Sequence, residues 1–158
     1  MTTLMEEVKF VKGLDPDDDM FNAATTVYTD IVNVREYSRC TFVLYEGAGA
    51  TGTHTLTIEA SDDVSASNVA AVPFRYRLIT TGDTEGAITA ATTAGFTTTA
   101  GASHEYVLEV ETSEMAAEGY GYCRMKLVEV VDSPVVASVQ IILSGASYPQ
   151  AIKNTAIV

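Results

Sequence analysis

Few residues of this chain have the chemistry to act as catalysts, and they do not cluster in sequence. His54 and His104 are the only histidines, and Cys40 and Cys123 the only cysteines. Each histidine opens a strand-like run, which places both at the surface or rim. Zinc needs three or four His, Cys or carboxylate ligands, usually at short spacings, and no such spacing occurs. The nucleophile motif G-x-S-x-G is absent. With no proton-transfer constellation in the sequence, the expectation is a protein that is not an enzyme. No catalytic, cofactor-binding or metal residue is assigned, and no cofactor is expected.

Two apparent motifs dissolve on inspection. GAGATG over 47–52 has the G-x-G-x-x-G spacing and follows a strand. A dinucleotide site needs a helix next, whose N-terminus holds the pyrophosphate. Here the strand-like HTLTIEAS follows, so the segment reads as a hairpin loop whose glycines supply positive φ. DPDDD over 15–19 suggests a calcium loop, but an EF-hand needs Gly at position six and Glu at position twelve. Met20 and Thr26 stand there. Asp15, Asp17 and Asp19 remain able to gather a cation in another geometry, as do Asp62 and Asp63.

Charge narrows the partners. Twenty-one acids stand against nine bases, a formal net charge of −12. Nucleic-acid binding draws on Lys and Arg neutralising phosphates, and the bases here are few and scattered. DNA, RNA and anionic membranes should all repel the chain, so no nucleic-acid or membrane partner is expected. Two basic pairs stand out, Arg75 with Arg77 and Arg124 with Lys126, each on one face of its strand. Their plain reading is cross-strand pairing with outward glutamates such as Glu59 or Glu109. If the two strands are neighbours, the four cations form a docking patch for an acidic surface, another copy of this chain included.

The elements that position these residues are strands. Period-two runs rich in Val, Ile, Thr, Tyr and Phe occur at 26–32, 40–46, 54–61, 72–80, 104–111, 122–130 and 135–143, each bounded by turn formers. The Ala/Thr/Gly tract 87–100 is a weaker candidate. Alternation assigns faces. Val72, Phe74, Tyr76 and Leu78 oppose Arg75 and Arg77; Leu56 and Ile58 oppose Thr55, Thr57 and Glu59. Tyr106, Leu108 and Val110 oppose Glu105, Glu109 and Glu111, with Val107 interrupting the polar row. Cys40 shares parity with Phe42 and Leu44, and Cys123 with Met125 and Leu127, so both thiols point inward. Without a secretion signal in MTTLMEEVKF they are expected to be reduced, although a Cys40–Cys123 bond stays open. The one helical candidate is 112–120, capped by Ser113 and ended by Gly119.

One wet and one dry face per strand is the mark of antiparallel sheets packed together. The expected fold is all-β, an antiparallel β-sandwich of immunoglobulin-like or jelly-roll type with about seven to nine strands. A chain of 158 residues suits one domain. We divide it into an N-terminal arm, 1–24, a sandwich, 25–144, and a C-terminal arm, 145–158, with both arms outside the core and pinned on this chain or a neighbour. No apolar run reaches the ~20 residues of a membrane-spanning helix.

Two stretches carry a resemblance: VPFRYRLITTGDTEG over 72–86, and YGYCRMKLVEVVDSPVVASVQIILSGASYP over 120–149. The second has a Tyr-led strand, a turn at Asp132-Ser133-Pro134, and a Val/Ile-rich strand ending in Gly-x-x-Tyr. It resembles small β-rich proteins from the structural gene clusters of tailed bacteriophages, among them head decoration, or cement, proteins. The resemblance covers the last half of the chain and carries over no functional residue. It implies a virion protein assembled in the host cytoplasm, seated on the capsid surface, with the major capsid protein and copies of itself, as a trimer or other homo-oligomer, for partners. Within the same class stands a tail-tube, head–tail joining or other minor virion component. A non-catalytic binding module, such as a carbohydrate-binding sandwich using Tyr120, Tyr122 and Tyr148, is the alternative from another class. The plain reading of those rings is packing against the core or an arm.

Overall fold

In the computed structural model, residues 3–47, 51–80, 82–101, 103–148 and 153–157 are described. They form a β-sandwich of two six-stranded sheets in which every strand pairing is antiparallel. In chain order the elements are α1 (Leu4–Glu7), β1 (Lys9–Asp17), β2 (Thr26–Tyr28), β3 (Val32–Asn33), β4 (Tyr37–Glu46), β5 (Thr53–Ser61), β6 (Val69–Val72), β7 (Phe74–Ile79), β8 (Thr89–Ala91), β9 (Phe96–Thr97), β10 (Glu105–Glu111), α2 (Thr112–Ala117), β11 (Tyr122–Val131) and β12 (Ala137–Ala146). The first sheet runs β1-β12-β4-β10-β7-β8. The second runs β2-β11-β5-β6, with β3 also on β11 and β9 also on β5.

The alternation read from the sequence is the alternation of the core. Phe42, Leu44, Leu108, Ile141 and Leu143 from the first sheet meet Leu56, Ile58, Met125 and Leu127 from the second, all fully buried. Cys40 and Cys123 are buried free thiols on opposite sheets. Burial pushes the Cys40 thiol well above its ordinary range, and the Cys123 thiol beside it pushes the same way.

Several expectations are corrected. The 47–52 segment is no hairpin loop, because β4 lies in the first sheet and β5 in the second; it arches over the end of the sandwich. Positions 48–50 lie outside the described residues, and neither Gly47 nor Gly52 has positive φ. Gly52 instead answers a close approach: a Cβ there would sit 2.7 Å from the Ser133 carbonyl oxygen. The run 26–32 breaks into β2 and β3, and Pro73 separates β6 from β7. The weak tract 87–100 changes sheets, since β8 pairs with β7 and β9 with β5. Gly95, at φ +72°, turns the chain between them. Helix α2 starts without a side-chain cap from Ser113, and its buried Thr112 hydroxyl donates to the Tyr37 carbonyl instead.

The terminal segments are also less free than arms outside the core. Residues 9–17 form an edge strand on β12, with Val11 in the core. Its register shifts around Gly13, where a Cβ would press on Val139 and Ile141. Pro16 is tolerated because β1 is at the edge. Phe21 is buried as well. At the other end, Ala156 is buried, its carbonyl accepts from the Asn33 N–H at 2.9 Å, and Ile157 bridges to Val32. Lys9 donates to the carbonyls of Lys153 and Asn154, and Lys153 donates to that of Glu6. The pinning is thus within the chain. Positions 1–2, 149–152 and 158 of these arms lie outside the described residues.

Candidate functional site: the end and outer faces of the sandwich

His54, expected at the surface or rim, is fully buried. It shares parity with Leu56 and Ile58 and so points into the sandwich. Its Nε2 lies 3.1 Å from Oε1 of Glu46, also buried, a contact close enough for an ion pair but outside hydrogen-bond geometry. The Phe21 ring packs 5.4 Å from the imidazole. Around them the segment 98–99 ties β5 to β10: the His54 N–H donates to Thr98 Oγ1, the Thr98 N–H to the His54 carbonyl, and the Thr99 N–H to the Tyr106 hydroxyl. Burial pushes the Tyr106 phenol up from its ordinary range, opposed by that bond from Thr99. His104 is half-buried and edge-on to Tyr106. A histidine beside a carboxylate is half of an acid–base device, but a base works only on a proton it can reach. Closed off from solvent, this pair can only seal the end of the sandwich in this conformation.

The acidic loop is bound up in its own turns. Asp15 pairs with Lys12 at 3.0 Å, Asp17 accepts from the Asp19 N–H, and Asp19 accepts from the Phe21 N–H. The bond from the Asp19 backbone is the main reason the Asp17 carboxyl lies below its ordinary range. Asp62 and Asp63 accept from Asn68 and Ser67. Among the described residues no three His, Cys, Asp or Glu side chains are placed to share a metal ion.

The four cations do not form one patch, because β7 and β11 belong to different sheets. On the second sheet, Glu59 accepts two bonds from Arg124, at 2.9 and 2.7 Å, and lies 3.5 Å from Lys126. The Arg124 guanidinium also sits 4.0 Å over the Tyr28 ring. This is the cross-strand pairing expected for Glu59. Nearby, Arg35 stacks 4.7 Å over Tyr122, Tyr120 packs against the core, and Tyr148 is exposed.

The outer face of the first sheet is different. Its register aligns Phe10, Ile142, Thr41, Glu109, Arg75 and Ala90 in one row across six strands. The next row runs Lys12, Gln140, Val43, Val107 and Arg77. Arg39 pairs with Glu111 at 2.9 Å and Arg77 with Glu85. Arg75 and Glu109 stand opposite each other without closing an ion pair. A groove of about 300 Å³ runs here, lined by Arg75, Arg77, Ile79, Ile88, Val107 and Glu109 among others. Tyr45 and Phe10 on the same face are 51% and 49% exposed. Sequence reasoning placed Arg75 and Arg77 of this face in a four-cation patch that the topology splits; the face's further signal was Val107, the apolar residue interrupting a row of glutamates.

No known protein family and no curated protein matches the sequence. A solved structure similar in fold is that of YomS, a protein derived from the SPBc2 prophage, with a TM-score of 0.50 and 9% identity. The match covers 88% of this chain and 94% of that one. A structure of infectious bursal disease virus, Gx strain, matches at a TM-score of 0.26 and 13% identity, over 86% of this chain and 40% of that one, too low a score to carry an argument.

Proposed function

We propose that the chain is a structural protein of a virion, and within that class a capsid decoration protein that binds the outer shell and staples its subunits. The observation that carries this reading is the fold likeness to YomS, a prophage-derived protein, along nearly the whole of both chains. Such a protein works by contact area and makes or breaks no bond. The wide, half-apolar outer face of the first sheet supplies contact area. The net charge of −12 favours the outside of a shell over its DNA-lined interior. Many weak contacts repeated over a shell add up to firm attachment. The partners are the major capsid protein and further copies of this chain.

The test is co-sedimentation of the purified chain with undecorated shells of the phage that encodes it. Saturable binding, with a rise in the temperature at which the shells disrupt, is the expected result. Failure to bind shells overturns the decoration role. Rings or tubes of the chain by electron microscopy would move it to the tail tube or the head–tail joint.

A further inference from the structure

We infer that the outer face of the first sheet is where two copies of this chain meet, related by a half-turn about an axis parallel to the strands. This deepens the assembly reading above and rests on it. The first observation is charge. The face carries four bases, Lys12, Arg39, Arg75 and Arg77, against five acids: Glu105, Glu109 and Glu111 on β10, with Asp15 paired to Lys12 and Glu85 to Arg77. On a chain with nine bases and twenty-one acids, four bases against five acids leave this face close to neutral. Two copies repel each other across most approaches, and little across a near-neutral face such as this one.

The second observation is the layout. Three of the five acids lie on β10, and Arg75 and Arg77 lie on its neighbour β7. A half-turn centred on the β7–β10 boundary exchanges those two strands between copies. It lays Glu109 of each copy over Arg75 of the other, the two charges that stay unclosed within one chain. A face whose neighbouring strands carry opposite signs is self-complementary in the sense an isologous contact requires.

The third is apolar area. Ile88, 61% exposed, lies one residue beyond the Thr89–Tyr76 pair and so level with Arg77, Val107 and Val43. The same half-turn carries it over Val43 of the partner copy. The half-turn overlaps four strands, β4, β10, β7 and β8, about 14 Å across at about 4.8 Å spacing, and seven residues of β10 at about 3.4 Å run about 24 Å. A flat outline on the order of 350 Å² is below the ~800 Å² per partner of a standard interface, so the contact is a weak one.

Sedimentation equilibrium at concentrations up to about 1 mM, high enough to populate a weak dimer, tests this. The unaltered chain is expected to run as a dimer. Val107→Lys puts a charge near the centre of the face and should weaken the dimer by about 100-fold or more, since central contacts dominate interfaces. Arg75→Glu and Glu109→Lys should each be monomeric alone and form a dimer when mixed, because each variant restores the other's charge pair. All three positions are on the solvent side, and a melting temperature unchanged at dilution, where every chain is monomeric, checks that the variants fold. A monomeric unaltered chain, a dimer indifferent to Val107→Lys, or a mixture that stays monomeric overturns the inference. The mass decides this contact; binding to shells, measured separately, decides the function on which it rests.

Discussion

The two outer faces of the sandwich begin from the same sequence device and end differently. Each offers a strand on which two cations alternate with inward apolar residues: Arg124 and Lys126 on β11, Arg75 and Arg77 on β7. On the second sheet the register sets Glu59 opposite Arg124, and Tyr28 closes over the guanidinium. Glu59 is left only 8% exposed, and the cluster is complete within one chain. On the first sheet, Arg75 faces Glu109 across the ladder, yet the two do not close. The difference teaches that partner geometry, not residue type, decides whether a cation braces its own sheet or stays available to another molecule.

The largest effect that would break this contrast lies at Glu59. Glu59→Ala leaves Arg124 and Lys126, with 19% and 32% side-chain exposure, beside each other without their counter-charge. The expected cost is about 2–3 kcal/mol, read as a fall in unfolding free energy in urea; a loss within error would mean that the cluster braces nothing. Next comes Tyr28→Ala, which removes the ring under Arg124 and should cost about 1 kcal/mol by the same measurement. Arg75→Ala should shift the melting temperature by no more than about 1–2 °C. A large shift would show that Arg75 is braced after all.

The smallest effect concerns the loop after β5. Bonds from Ser67, first its hydroxyl and then its N–H, hold the Asp63 carboxyl below its ordinary 3.8. A lowered carboxyl stabilises the fold above its unfolded pKa, and that contribution is lost as pH falls through the folded value. Ser67→Ala should therefore flatten the dependence of stability on pH below about 4, lowering stability slightly at neutral pH and leaving it unchanged in acid, where the carboxyl is protonated. An identical acid limb would deny the loop its brace.

Much of the fold was legible because period-two alternation is local. The inward parity of Cys40, Phe42 and Leu44, and of Cys123, Met125 and Leu127, needs only neighbours in sequence. The same rule, applied without prejudice about residue type, would have buried His54, which shares the parity of Leu56 and Ile58, and Glu46, which shares that of Phe42 and Leu44. His54 is expected outside because a buried histidine is costly alone, Glu46 is given no face, and sequence does not reveal the partner that offsets the cost of burying either. Strand β1 was hidden because Gly13 and Pro16 are breakers in a central strand yet fit an edge. The sheet change at Gly95 and the placement of β7 and β11 in opposite sheets depend on non-local pairing. The candidate face was therefore legible only in part: Arg75 and Arg77 stood out and Val107 marked its centre, but the strands that complete the surface did not.

The fastening of the two chain ends to each other also decides how the protein yields to force. Lys9 opens β1, opposite Leu143 near the close of β12, so the two free ends leave the sheet at the same corner. Tension applied through them loads the hydrogen bonds between β1 and β12 one after another, as in opening a zipper, and not all together in shear. The lysine–carbonyl ties at Lys9 and Lys153 and the Ala156 plug stand first in that line of load. A chain held by its termini therefore gives way by peeling at low tension. The same chain held through the broad face of its first sheet resists with every strand of that sheet at once.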